Sequence, residues 1–243
     1  MLQEIYSFSK VLSFEDVDCY GRWRADRIFL LMQNAATAHS NLLGVGRKPL
    51  LEKNVIWVLS RAELHMDRYP QFGEEIKVNT WPGKMRHFFA PRYFILYAGG
   101  EKIGCAVELW LIVDLEKRRM VDPKAKGIEM PDIDLESPLP MPAGAEAPQT
   151  PDRTVTRRAT FSDLDENMHV NNTSYITWLL ENLDTYSMES REISLLKVDY
   201  TKEIKPETQV TLAFSDNADG FAMLGSGAEG EKHFVISGKM RGR

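Results

Sequence analysis

Between Asp165 and His169 three side chains of different chemistry stand at alternating positions: a carboxylate at Asp165, an amide at Asn167 and an imidazole at His169. The carboxylate can attack a carbonyl, act as a base or orient a neighbour. The amide can donate to a carbonyl oxygen or hold an attacking water, and the imidazole changes charge near neutrality. In an extended loop this alternation sends all three side chains to one side. Directly after them come Asn171, Asn172, Thr173 and Ser174, all of the type that caps helices, and then the apolar pattern Tyr175, Ile176, Trp178, Leu179, Leu180, Leu183. The pattern predicts a polar loop delivered onto a helix N-terminus, with the helix running to about Met188. Such an end presents N–H groups and a partial positive charge, which suits a carbonyl oxygen that becomes an oxyanion.

Each of these residues also has an ordinary local role: an aspartate bonding backbone N–H groups, a turn asparagine, a capping histidine. Asp163 is expected to take the local job and Asp165 the chemical one. A second carboxylate, Glu203, lies in Tyr200-Thr201-Lys202-Glu203-Ile204, near the end of a strand expected over Ile193 to Ile204. It could serve as a general base, but on its own it reads first as a surface glutamate paired with Lys202 or Lys205. Met32, Trp57, Trp81 and Phe89 could line an apolar pocket, although most such residues are plain core. The chain has no phosphate-binding loop, no Gly-x-Ser-x-Gly elbow and no metal-ligand spacing.

The elements that must carry these groups follow from periodicity. Strands are expected over Gln3 to Phe14, Val55 to Met66, Glu75 to Trp81, Phe88 to Tyr97 and Lys102 to Asp114, with a short one at Met120. A helix over Ala25 to Leu43 places Ile28, Leu31, Met32, Ala35, Ala36 and His39 on one face, and Gly44 and Gly46 end it. From Pro123 to Pro151 prolines recur and aromatics vanish, which predicts a semi-extended linker over the surface. Beyond it the order repeats: a strand over Thr154 to Phe161, the polar loop, the helix, then strands over Ile193 to Ile204, Gln209 to Phe214, Phe221 to Ser226 and His233 to Met240.

The repetition extends to the letters. Phe14-Glu15-Asp16-Val17-Asp18 matches Phe161-Ser162-Asp163-Leu164-Asp165, and Leu64 to Ile76 lies on Val198 to Val210 without a gap. Under these alignments Tyr20 faces Asn167, Arg22 faces His169 and Tyr69 faces Glu203. The polar set is therefore complete only in the second copy. The expected organisation is an α+β tandem double hotdog, each half a long helix wrapped by a curved antiparallel sheet. Residues 1–122 form the first half with a degenerate site free to become a binding pocket, residues 123–151 a proline-rich linker, and residues 152–243 the half that keeps the polar set.

Composition bounds the rest. A hydrophobic fraction of 43% permits a core, and a net charge of −5 argues against a general nucleic-acid binder. The two cysteines, Cys19 and Cys105, lack redox or metal spacing. No signal-peptide or membrane-spanning run is apparent, so a cytoplasmic chain is expected. One chain supplies both halves, leaving monomer or homodimer open.

The chain resembles the acyl-acyl-carrier-protein thioesterases of plants and their bacterial relatives over nearly its whole length. The resemblance rests on Asp163-Leu164-Asp165-Glu166-Asn167-Met168-His169-Val170-Asn171-Asn172 with Tyr175, Trp178 and Glu181. In the first half it rests on Asn54 to Arg61, Asp67-Arg68-Tyr69-Pro70 and Thr80-Trp81. It implies hydrolysis of the thioester between a fatty acyl chain and the phosphopantetheine arm of acyl carrier protein, ending chain elongation in fatty acid biosynthesis. No cofactor is implied beyond that arm, which the substrate brings. The family's aspartate, asparagine, histidine and glutamate fall on Asp165, Asn167, His169 and Glu203. The plant enzymes carry a cysteine directly after that glutamate; here the position is Ile204, which excludes a cysteine nucleophile. With the backbone at Val170, Asn171 and Asn172 as oxyanion donors, two mechanisms stay open: water activated by Glu203 or Asp165 with His169 orienting it, or direct attack by Asp165. The competing functions are a coenzyme A thioesterase on the same fold, a non-catalytic acyl-binding module and, more remotely, a hydratase.

Overall fold

A computed structural model describes residues 4–131 and 133–243. Gln3, where the first expected strand begins, lies outside them. The chain forms two units: one from residues up to Ala62 together with Asp67–Pro142, the other from Ala143–Arg243 together with Glu63–Met66.

In the first unit the strands are β1 (Tyr6–Val11), β2 (Val55–Met66, its last four residues grouping with the second unit), β3 (Glu75–Pro82), β4 (Ala90–Ala98), β5 (Glu101–Asp114) and β6 (Arg119–Met120). They run in the order β1-β3-β4-β5-β2, with β6 on β5. Helix α1 (Ala25–Leu42) buries Ile28, Leu31, Met32, Ala35, Ala36 and His39, the face its periodicity defines, and packs on β3 and β1. On the sheet, Ile76, Val78, Phe94 and Leu96 are each 0% exposed. Burying a side chain of this size stabilises the fold by about 1.5–3 kcal/mol. A short helix the periodicity does not announce, α2 (Arg47–Glu52), is anchored by buried Leu50.

The proline-rich stretch, expected as a semi-extended surface linker, buries some of its apolar residues. It opens as a 3-10 turn over Pro123–Lys126, capped by the Asp122 carboxylate, which accepts from the Lys124 N–H. Ile128 then packs with Val45, Leu50, Val55 and Ile112, and Ile133 packs with Trp81, Tyr93 and Val107. Residues through Pro142 group with the first unit. Apolar residues spaced between the prolines drive this packing, because leaving them in water would forfeit their burial energy.

The second unit contains β7 (Arg153–Arg158), α3 (Asn172–Leu180), β8 (Arg191–Tyr200), β9 (Gln209–Asp216), β10 (Gly220–Ser226) and β11 (Lys232–Gly242), in sheet order β8-β11-β10-β9-β7. Gly225 is required here, since a Cβ would stand 2.0 Å from the Phe234 ring. That ring in turn packs against Tyr175 and Trp178 of α3, with centroids 4.7 and 6.1 Å away. Helix α3 is nine residues long, half the 18 of α1 and well short of Met188. The Asn182 amide donates to the Trp178 carbonyl at 2.8 Å, and Asp184 captures the Ser187 N–H at 2.7 Å. These side chains offer the backbone an alternative to further helix.

The duplication holds bond for bond. A 3-10 turn over Phe14–Asp16 is closed by Ser13 and Asp16, and one over Phe161–Asp163 by Thr160 and Asp163, each as a capping box. The expected strands ending at Phe14 and Phe161 stop earlier because of these turns. Downstream, the Trp23 N–H donates to the Pro70 carbonyl as the Val170 N–H donates to Ile204, both at 2.9 Å.

Candidate active site

Local structure around Asp165 is a closed turn and not the extended loop that alternation implies. The Asp165 N–H donates to the His169 carbonyl at 2.8 Å, the Met168 N–H donates back to the Asp165 carbonyl at 3.1 Å, and Leu164 bridges Val170. Met168 takes a positive φ of 59°, the place Gly21 occupies with φ 77° in the first unit. Tight closure, rather than strand alternation, gathers the three polar side chains.

Asp165 holds this turn together. Its Oδ1 accepts from the Asn167 N–H at 2.8 Å and from the His169 N–H at 3.4 Å, and its Oδ2 lies 3.5 Å from Asn167 Nδ2. In the first unit Asp18 does the same for the Tyr20 and Arg22 N–H groups, at 2.8 and 3.0 Å. There it also pairs with the Arg22 guanidinium at 2.9 Å. The orienting role of this aspartate is thus common to both copies. Asp163 is committed to the fold: its carboxylate accepts from the Thr160 N–H and hydroxyl, Trp178 Nε1 and Arg157. Burial pushes its carboxyl up, but these donors outweigh burial and hold it below the ordinary carboxylate value.

Glu203 lies beyond β8 and not in it. The strand stops at Tyr200 because the Thr201 and Lys202 N–H groups both turn to one acceptor, the His233 carbonyl, at 2.8 and 3.1 Å. The irregular segment that follows brings the Glu203 Oε2 to 3.4 Å from His169 Nε2. Both side chains are partly exposed, 34% for Glu203 and 27% for His169, so the pair is reachable from solvent. In the first unit these positions hold Tyr69 and Arg22.

Helix α3 begins three residues after His169, at Asn172. Asn171 is its N-cap, with Oδ1 accepting from the Thr173 N–H at 2.9 Å. Of the three expected oxyanion donors, two are engaged by the fold: Val170 N–H with Ile204, and Asn171 N–H with Asp163 at 2.8 Å. These bonds take both out of the donor set. Asn172, at the first position of the helix, is the member that keeps the expected character.

Tyr175 is a site neighbour that the helical pattern hides as one more apolar position. It is 3% exposed. Burial pushes its phenol well above the ordinary tyrosine value, the Asp165 and Glu203 carboxylates push it further, and a hydrogen bond from the Ile204 backbone partly offsets them. It therefore stays a neutral hydroxyl.

Of the four residues expected to line an apolar pocket, the two tryptophans pack in different clusters. Trp57 packs in the cluster around Leu50 and donates its Nε1 to the Val45 carbonyl at 2.8 Å, whereas Trp81 belongs to the separate cluster with Tyr93, Val107 and Ile133. Met32 is fully buried in α1, and Phe89 is half-buried in a tight turn with Arg86. Among the described residues no group of three or more His, Cys, Asp or Glu side chains converges as a metal site would need.

Two family models match the chain: the acyl-ACP thioesterase N-terminal domain over residues 4–125 and its C-terminal domain over residues 148–233. The palmitoyl-acyl carrier protein thioesterase of Gossypium hirsutum is 31% identical over 170 residues, which are 66% of this chain and 41% of that protein. Its counterpart in Cuphea hookeriana is 28% identical over 195 residues, 73% of this chain and 46% of that one. The chain spans about half the length of the curated relatives it matches. Among solved structures, an acyl-ACP thioesterase from Bacteroides thetaiotaomicron superposes with a TM-score of 0.88 at 24% identity, covering 98% of each chain. The 12:0-ACP thioesterase from Umbellularia californica gives 0.85 at 18% identity, covering 100% of this chain and 99% of that one. These likenesses are of fold, the double hotdog expected from the repeat.

Proposed function

The chain belongs to the acyl-acyl-carrier-protein thioesterase family, and from that premise we propose that it hydrolyses fatty acyl-acyl-carrier-protein thioesters to free fatty acid, ending chain elongation in fatty acid biosynthesis. The observation that carries this reading is the His169–Glu203 contact at 3.4 Å beside the N-terminus of α3. It unites two groups far apart in sequence, and the other copy holds Arg22 and Tyr69 instead.

In this mechanism the thioester carbonyl points at α3. The Asn172 N–H and the Asn167 amide receive the developing oxyanion, each donor being worth about 3 kcal/mol of transition-state stabilisation. Glu203 takes a proton from water as it attacks the carbonyl carbon, and His169 orients that water. Collapse of the tetrahedral intermediate breaks the carbon–sulfur bond and returns the proton to the departing phosphopantetheine thiolate. Asp165 orients Asn167 and His169, the role its twin Asp18 plays in the first unit, which favours activated water over attack by Asp165. The phosphopantetheine belongs to the substrate, so the reaction needs no resident cofactor. A cytoplasmic location and a monomer or homodimer complete the reading. The curated plant relatives above are named as chloroplastic.

The test is hydrolysis of a ladder of acyl-acyl-carrier-protein esters, with the matching coenzyme A esters beside them, by wild type and His169→Ala. Turnover of the carrier-protein esters by wild type, lost in the folded variant, is the expected result. Faster turnover of the coenzyme A esters would transfer the assignment to an acyl-CoA thioesterase, and no turnover of either by wild type would leave an acyl-binding protein.

A further inference from the structure

The turn that carries Glu203 is held from behind by one residue. The His233 carbonyl accepts from the Thr201 and Lys202 N–H groups at 2.8 and 3.1 Å. Its ring, 3% exposed, returns to the same turn, with Nδ1 at 3.2 Å from the Lys202 carbonyl. That carbonyl can only accept, so Nδ1 carries the hydrogen and donates. Nε2 is buried without a hydrogen bond, its nearest acid being Glu231 at 3.7 Å. From the front, the next fixed point is the Ile204 carbonyl, which accepts from Val170 at 2.9 Å. Glu203 stands between these two anchors.

The first unit supplies an internal comparison. There the Asp67 and Arg68 N–H groups bond the Ile103 carbonyl at 2.8 and 3.2 Å. The main-chain pattern is the same and needs no imidazole. A ring that locks the Lys202 carbonyl appears only in the copy where a carboxylate follows. We infer that His233 is a positioning residue that fixes the turn presenting Glu203 to His169, an inference that rests on the proposed role of Glu203.

The test compares wild type, His233→Ile, His233→Asn, Glu203→Gln and the double variant His233→Ile/Glu203→Gln on one acyl-acyl-carrier-protein ester, with thermal melts alongside. Isoleucine is what the equivalent position already carries, and asparagine puts an amide N–H where Nδ1 was. The expected result for His233→Ile is a fall in kcat of about tenfold or more with KM changed by less than about twofold, because misplacement acts on the chemical step. His233→Asn restores most of kcat, and the double variant is no slower than Glu203→Gln alone. Wild-type kcat in His233→Ile beside a slow Glu203→Gln overturns this inference and leaves the proposed function standing. Losses that multiply in the double variant, or no rescue by asparagine, overturn it as well. A Glu203→Gln variant as fast as wild type removes the mechanism itself, and this inference with it. Should His233→Ile not fold, His233→Gln carries the same test, since its amide reaches the Nε2 place and leaves the Lys202 carbonyl without a donor.

Discussion

Asp165→Asn and Asp18→Asn make one chemical change at two equivalent turns, and the structure predicts opposite rankings in two assays. At Asp165 the asparagine keeps an oxygen for the Asn167 and His169 N–H groups, which lie at 2.8 and 3.4 Å. Turning a charged acceptor into a neutral one weakens such bonds by about 1 kcal/mol in all. At Asp18 the same change also takes the negative charge from the carboxylate 2.9 Å from the Arg22 guanidinium, whose side chain is only 3% exposed. With Asp18 itself 29% exposed, weakening this half-buried pair adds about 1–2 kcal/mol to the cost. In thermal melts Asp165→Asn should lower Tm by about 2–4 °C, and Asp18→Asn by two to three times as much. Turnover ranks the other way. Asp165→Asn turns an amide toward Asn167 Nδ2, donor against donor where the oxygen now stands at 3.5 Å, and releases the groups to which the proposed mechanism gives the oxyanion and the water. Misalignment of this kind lowers kcat about 100-fold. Asp18→Asn, in the copy without the His169–Glu203 pair, should leave kcat within about twofold once temperature is kept below its melt. A kcat for Asp165→Asn within about threefold of wild type would refute the reasoning, as would an equal loss in Asp18→Asn.

Asn171→Ala removes the cap that holds the Thr173 N–H at 2.9 Å. It should destabilise the protein by about 1 kcal/mol, read by urea denaturation, and slow turnover by loosening the end of α3. A pH effect is expected from Glu108, which sits opposite Arg92 on β4 and β5. Burial raises its carboxyl from 4.5 to about 7, against the opposing pull of the Trp110 indole N–H and Arg92. A raised folded pKa contributes stability that is complete below the unfolded value and is lost as pH rises through the folded one. Stability should therefore decline between pH 4.5 and about 7. Glu108→Gln should flatten that slope in urea titrations; an unchanged slope would mean the buried carboxyl does not govern it.

Much of the fold is legible from local rules. The face of α1, the span Val55–Met66 and the alternation of Ile76, Val78 and Thr80 follow from side-chain period, because burial of one face is what each element needs. The matching letters at Phe14–Asp18 and Phe161–Asp165 mark a duplication, since equal turns need equal capping chemistry. The family was legible as well, because its motif lies in one short run around Asp165, Asn167 and His169.

Tertiary structure decided the remainder. Only the bulge on the His233 carbonyl ends β8 at Tyr200 and swings Glu203 to His169, and no local pattern encodes a contact across that distance in sequence. Side chains at Asn182 and Asp184 cut α3 to nine residues by outcompeting helical bonds, which an apolar period cannot reveal. The commitment of the Val170 and Asn171 amides, the burial of Ile128 and Ile133 within a proline-rich stretch, and the raised phenol of Tyr175 share one cause. Each depends on partners brought from elsewhere in the chain, so residue type and spacing specify what a group can do, while only the folded contacts specify what it is free to do.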